Sequence, residues 1–328
     1  MTVEVRGLTK RYGPVTAVHD LSFRVETGRV TGFLGPNGAG KSTTMRMILG
    51  LDHPSAGTAT VDGLPAHRLP NAARSVGALL DAGARHPGRT ARDHLLTLAR
   101  LAALPAGRVD EVLDTVGLFA LADRETGGFS LGMGQRLGIA AALLGDPPNL
   151  LFDEPINGLD PEGIHWVRGL MRRLAGEGRA VLVSSHLMSE MALTADHLLV
   201  IGRGELLADL PARDFVTRHA EGFARVQVPP DPADLSGRLT RVLVGAGGGV
   251  EAESDGALRV TGLPLSRVAD LAHGADIRLW ELSPHTASLE EAYLSLTEDA
   301  VEYRSPAGAG AAPVGAGKTG KTGKEALR

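Results

Sequence analysis

VTGFLGPNGAGKSTTMRMILG, residues 30–50, decides the fold. Its opening VTGFL has the unbroken apolar character of a strand buried on both faces, and its closing MRMILG has that of a helix. Between them Gly35, Pro36, Asn37, Gly38, Ala39, Gly40, Lys41 and Ser42, with Thr43 next, match the phosphate-binding loop G-x-x-x-x-G-K-[ST] over its eight positions. Glycines let successive backbone N–H groups turn inward around phosphate oxygens, and a helix starting near Lys41 points its positive end at them. Lys41 is then the cation for the outer phosphates, and the Ser42 hydroxyl a ligand for their metal. A chance glycine-rich turn is the competing reading. Such a match arises by accident in a chain this long on the order of once in a hundred, and the flanking strand and helix lower that further.

Residues 315–322, GAGKTGKT, spell the same expression. No apolar strand precedes them and no amphipathic helix follows, so they read as tail. Spelling without a strand-to-helix transition carries no phosphate site.

Outward from the loop, short apolar runs alternate with helical patterns. NLLFD (149–153), AVLVSS (180–185) and HLLVI (197–201) read as strands, and residues 161–175 between the first two as a helix. Strands alternating with helices imply a parallel sheet. Residues 2–30 alternate as half-buried antiparallel strands, 58–63 suggest another strand, and about 86–145 turn helical. The fold expected is α/β: a mixed central sheet with an antiparallel β-subdomain and a helical subdomain. Composition changes at Pro211. Residues 222–298 read as a small α+β accessory domain after a nucleotide-binding unit of 1–215, and 305–328, rich in Gly, Ala and Lys, as a disordered tail.

Two strand ends carry further chemistry. Asp153 and Glu154 close an apolar strand, where one carboxylate can hold Mg²⁺ and the next can polarise a water as general base. His186 closes the following strand, and the carboxyl ends of parallel strands line the ligand crevice. Taken singly, two acids closing a strand could be a plain loop exit and His186 a structural histidine.

Composition excludes other classes. With 328 residues, 43% hydrophobic and 22% charged, the chain is globular. A net charge of −4 argues against a dedicated nucleic-acid binder, and no Cys means no disulfide framework or thiolate metal site. Glu4, Arg6, Lys10 and Arg11 leave no room for a signal peptide. No apolar run reaches the roughly 20 residues a bilayer crossing needs.

These motifs, in this order over about residues 2–210, resemble the ABC ATPase family. The resemblance implies that Tyr12 stacks on adenine, that Gly35–Thr43 is Walker A, and that Asp153 with Glu154 is Walker B plus the catalytic glutamate. It makes Asn157–Asp160 the D-loop and His186 the switch histidine. Phe129-Ser130-Leu131-Gly132-Met133 stands where the signature usually reads L-S-G-G-Q. By resemblance, two cassettes meet head to tail, with Ser130 and Gly132 contacting the γ-phosphate held by a partner copy, and Asp160 is a further nucleotide-binding residue. ATP and Mg²⁺ are the implied ligands. A homodimer of the cassette and separate transmembrane permease subunits are the implied partners, with the chain peripheral to the membrane.

Two departures stand out. Leu131 and Met133 replace Gly and Gln of the signature. The usual glutamine before the helical subdomain is missing, and Val76–Asp81 supplies Asp81 there, expected as a substitute through water or metal. The accessory region and the ending Leu289–Thr297 resemble subunits serving bacterial multidrug, antibiotic-resistance or lantibiotic exporters. A non-transport ABC ATPase of translation or DNA repair, and an importer subunit, are the alternatives. The first usually shows tandem cassettes or long insertions, which the sequence lacks.

Overall fold

The computed structural model describes residues 2–219, 222–230 and 234–285, with Leu289, Tyr293 and Leu296 beyond them. Three strands form an antiparallel sheet: β1 (Val3–Tyr12), β2 (Val15–Val25) and, after β3 (Arg29–Leu34) has left for another sheet, β4 (Ala56–Val61), in the order β2-β1-β4. The central sheet adds β5 (Val76–Leu79), β6 (Asn149–Phe152), β7 (Ala180–Ser185), β8 (His197–Gly202) and β9 (Glu205–Pro211). Its order is β5-β6-β7-β3-β8-β9, parallel except for the antiparallel edge β9.

The parallel strands show why their sequences lack alternation. All six residues of β7 and of β8 are buried, because both faces of the sheet are covered. Successive side chains point to opposite faces, and they enter two different cores. Val181, Val183, Leu198 and Val200 join the helices Ala91–Leu101, Leu131–Leu143 and Pro161–Gly176. Leu182, Leu199 and Ile201 meet the antiparallel sheet and the helix Lys41–Ile48. Emptying either side of such a strand, as in Leu182→Ala, costs about 2–5 kcal/mol.

Within residues 86–145 lie the α-helices Ala91–Leu101, Arg108–Thr115 and Leu131–Leu143, joined by turns and short 3-10 segments. Beyond Pro211, β10 (Phe223–Gln227), β11 (Gly249–Ala252), β12 (Leu258–Thr261) and β13 (Glu281–His285) form a separate antiparallel sheet, β11-β12-β10-β13. Helices Leu235–Gly245 and Leu265–Gly274 cover one face and close a third core with Val226, Leu243, Val260 and Val268. The order β-α-β-β-α-β is the split βαβ arrangement. Of the stretch 289–297, Leu289 and Tyr293 are buried in the large core of the first unit, and Leu296 packs on it. The tail 305–328, with its repeated loop spelling, lies outside the described residues.

Candidate functional site

The phosphate loop leaves β3 and enters the helix Lys41–Ile48. Gly40 holds the turn at φ +102°, and a Cβ there would stand 2.7 Å from the Ala17 carbonyl oxygen. Glycine is thus required both by its dihedral and by the backbone of β2 against it. No side chain caps this helix, so its first N–H groups are left for an anion. Lys41 is buried and folds back on the loop, donating from Nζ to the Gly35 oxygen at 2.7 Å and the Pro36 oxygen at 3.3 Å. Burial pushes the Lys41 ammonium below the usual lysine range, opposed by the charges of Glu154 and Asp153.

The strand ends assemble around that lysine. Glu154 Oε1 stands 3.6 Å from Lys41 Nζ, and its Oε2 stands 2.8 Å from His186 Nδ1. Asp153 N–H donates to the Leu79 oxygen at 2.8 Å, pinning the end of β6 to β5. Ser184 of β7 donates from Oγ to Asp153 Oδ1 at 2.5 Å and accepts from the Glu154 N–H at 2.9 Å. Lys41, Asp153, Glu154 and His186 are therefore brought together. The sequence reading passed over Ser184: every residue of β7 is buried, so nothing in the local pattern marks that hydroxyl.

For a divalent metal, the donor set fits Mg²⁺. Among the described residues, Asp153 Oδ2 and the exposed Ser42 Oγ accept no hydrogen bond. Both are hard oxygen donors, and Mg²⁺ at nucleotide sites needs only one or two protein ligands beside the phosphates. Accordingly no cluster of three or more His, Cys, Asp or Glu forms an all-protein cage among the described residues.

Asp81 makes no direct contact with that acid pair. It is exposed, its Oδ1 accepts from Gly83 N–H at 2.6 Å, and no hydrogen bond or ion pair joins it to Ser42, Asp153 or Glu154. The short side chain closes its own turn where a longer amide would extend.

Tyr12 ends β1 beside the β2 residues that touch Gly40. The Lys10 ammonium lies 4.9 Å from its ring centre, and its hydroxyl donates to Asp52 Oδ2 at 3.3 Å, an oxygen that Arg46 Nε also binds at 2.8 Å. Partial desolvation and proximity to Asp52 raise the Tyr12 phenol pKa, while Arg46 holds the Asp52 carboxyl below its usual range.

Ser130, Gly132 and Asp160 line a second cleft, of about 470 Å³, together with Leu131, Met133, Gly158 and Gly163. Ser130 caps the helix Leu131–Leu143 by accepting from Met133 N–H at 3.2 Å, and Asp160 caps Pro161–Gly176 by accepting from Gly163 N–H at 2.8 Å. None of Lys41, Ser42, Asp153 or Glu154 lines this cleft. Within one chain the two groups of residues therefore stand apart.

A strand–loop–helix phosphate cradle beside two strand-end acids, on a sheet of this order, defines a P-loop nucleotide-binding cassette. The model of the ABC transporter family matches residues 18–157, and a domain of unknown function (DUF8746) matches 224–290. Over 304 residues, 92% of this chain and 97% of the relative, the sequence is 34% identical to the uncharacterized ABC transporter ATP-binding protein YhcH of Bacillus subtilis (strain 168). It is 41% identical over 64% of its length to the bacitracin transport ATP-binding protein BcrA of Bacillus licheniformis, covering 69% of that protein. It is 36% identical over 73% of its length to the Nod factor export ATP-binding protein I of Burkholderia orbicola (strain AU 1054), covering 80% of that protein. A solved ATP-binding subunit of an ABC transporter superposes with a TM-score of 0.61 at 26% identity, over 66% of this chain and 93% of that one. The chain belongs to the ABC transporter ATP-binding proteins: it is an ATPase subunit of a transporter. Such subunits work with separate transmembrane permease components, and no helix among the described residues is long and apolar enough to cross a membrane.

Proposed function

We propose that this chain powers an exporter of a drug, antibiotic or peptide by hydrolysing ATP in a head-to-tail homodimer on the cytoplasmic face of the cell membrane. The observation that carries the dimer is the separation of the two half-sites. Lys41, Asp153, Glu154 and His186 form one, and Ser130, Gly132 and Asp160 line a cleft apart from them. A second copy turned to face the first completes both.

In this reading Lys41 exchanges the Gly35 and Pro36 carbonyls for phosphate oxygens, while Gly35–Thr43 supply backbone N–H groups around them. Ser42 and Asp153 hold Mg²⁺, which supplies charge neutralisation at the phosphates when bound. Glu154 takes a proton from the attacking water, and His186 orients the Glu154 carboxylate through Nδ1. Tyr12 offers a ring face to adenine. Asp81 keeps Oδ1 on the Gly83 N–H and, with no bond to Ser42 or Asp153, would join the metal only through water.

Export is supported by the names of relatives that carry bacitracin transport and Nod factor export. The test is co-purification with a candidate permease in lipid vesicles, followed by ATP-driven movement of a panel of antibiotics and peptides. Accumulation inside inverted vesicles with stimulated ATP hydrolysis is expected. Movement in the opposite direction makes the chain an importer subunit, and ATP hydrolysis with no permease association removes transport altogether.

A further inference from the structure

We propose that Ser184 is a positioning residue for the whole acid pair: one buried hydroxyl that aims the Asp153 carboxylate at the metal and locks the backbone that presents Glu154.

The hydrogen-bond polarity is forced. Ser184 is fully buried at 0% exposure on β7, beside the β6 strand that Asp153 follows. A hydroxyl owns one proton and two lone pairs. An ionised carboxylate only accepts, so the proton lies toward Asp153 Oδ1, and a lone pair is left for the Glu154 N–H. Both bonds form at once and in one sense only. With Oδ1 engaged inside the fold, Oδ2 is the oxygen left for a metal. Hydrogen bonds behind a ligating carboxylate set its orientation, and losing them costs roughly ten- to a hundred-fold in metal affinity or activity.

The second bond governs Glu154. Its backbone sits at φ +48°, in the left-handed region that a side chain with a Cβ occupies only where surroundings over-determine it. Two bonds hold this turn. Ser184 Oγ fixes the N–H side, and the Asn157 N–H, donating to the Glu154 carbonyl at 3.1 Å, fixes the other. The turn directs the Glu154 carboxylate back between Lys41 and His186. Neighbouring Ser185 acts elsewhere, since its Oγ accepts from Leu187 N–H at 2.9 Å and shapes the exit beyond His186. Of the two serines, only Ser184 touches both acids.

This inference rests on the reading of Asp153 as the metal acid and Glu154 as the water acid, and the test separates the two. Affinity of the full-length chain for the non-hydrolysable analogue AMP-PNP is measured by calorimetry with Mg²⁺ and with EDTA, alongside steady-state ATP hydrolysis. For Ser184→Ala we expect unchanged affinity in EDTA, a roughly ten-fold smaller gain in affinity on adding Mg²⁺, and a fall in kcat larger than any change in KM. Ser184→Thr, which keeps the hydroxyl, restores both. Ser184→Cys fills similar space with a weak donor and carries the same expectation as alanine if alanine destabilises the fold. A native Mg²⁺ gain in both Ser184→Ala and Ser184→Cys overturns the proposal. So does an equal loss with and without Mg²⁺ that threonine does not repair, since that marks packing alone. In parallel, Asp153→Asn must shrink the Mg²⁺ gain. If it does while the Ser184 variants do not, Ser184 alone is wrong; if Asp153→Asn leaves the gain intact, both readings fall.

Discussion

Leu131, which replaces a signature glycine, presses on Gly158, and Gly158→Ala tests that contact. Gly158 has φ +71°, and a Cβ built on it would stand 2.3 Å from Leu131 Cδ2. Two penalties follow. Placing alanine in the left-handed region costs about 1–2 kcal/mol. Displacing the Leu131 side chain, which is 54% exposed and free to swing, costs only the off-rotamer penalty of about 0.5–1.5 kcal/mol. Gly158→Ala should therefore destabilise the fold by roughly 2 kcal/mol. In a Leu131→Gly background the clash is gone and the dihedral cost stays, so the same change should cost about 1–2 kcal/mol. A double-mutant cycle in urea then reads a coupling of about 1 kcal/mol. Since Ser130, Gly132 and Asp160 share that cleft, ATP hydrolysis should fall in Gly158→Ala and partly recover in the double variant. Equal costs in both backgrounds, or no cost in either, would refute the reasoning.

Lys41 predicts a proton. Burial holds its pKa below the usual lysine range, so as pH rises toward the ordinary lysine value its ammonium gives up its proton before a free lysine does. Phosphate oxygens favour the charged form, and ATP binding must draw in a proton there. Calorimetry in two buffers of different ionisation enthalpy measures it, and no uptake contradicts the assignment. The sign for stability is the same in origin: the unfolded chain binds more protons in that window, so this group's contribution to stability rises with pH. Asp52→Asn, which loosens the tie between Tyr12 and Arg46, should raise KM for ATP about two- to five-fold with kcat unchanged. That is the scale of an exposed charge-assisted contact, and an altered kcat with constant KM counts against it.

What the sequence made legible was what geometry forces on residue type. GPNGAGKS needs its glycines, and VTGFL, NLLF and AVLVSS need to be apolar nearly throughout because both faces of their strands are covered. Edge strands obey weaker rules. β13 carries Pro284 and pairs on one side only, and β11 is mostly exposed, so neither shows alternation. Contacts distant in sequence were invisible. Nothing in SSH announces that Ser184 reaches Asp153 and Glu154, 31 and 30 positions away. Nothing in LEEAYL places Leu289 and Tyr293 in the core of the first unit. Asp81 shows the same limit: its place after β5 matches the expected position, but nothing in the sequence announces that its Oδ1 closes a turn with Gly83 N–H.

In the proposed mechanism two copies of this chain share ATP, with Glu154 activating the water. Glu154→Gln tests it most directly, in one preparation examined by ATP turnover and by light scattering. The account predicts retained ATP binding, turnover lowered by about 10²–10⁴-fold, and an ATP-dependent dimer that persists because hydrolysis no longer reopens it. Native turnover in this variant, or a monomer at saturating ATP, would contradict it.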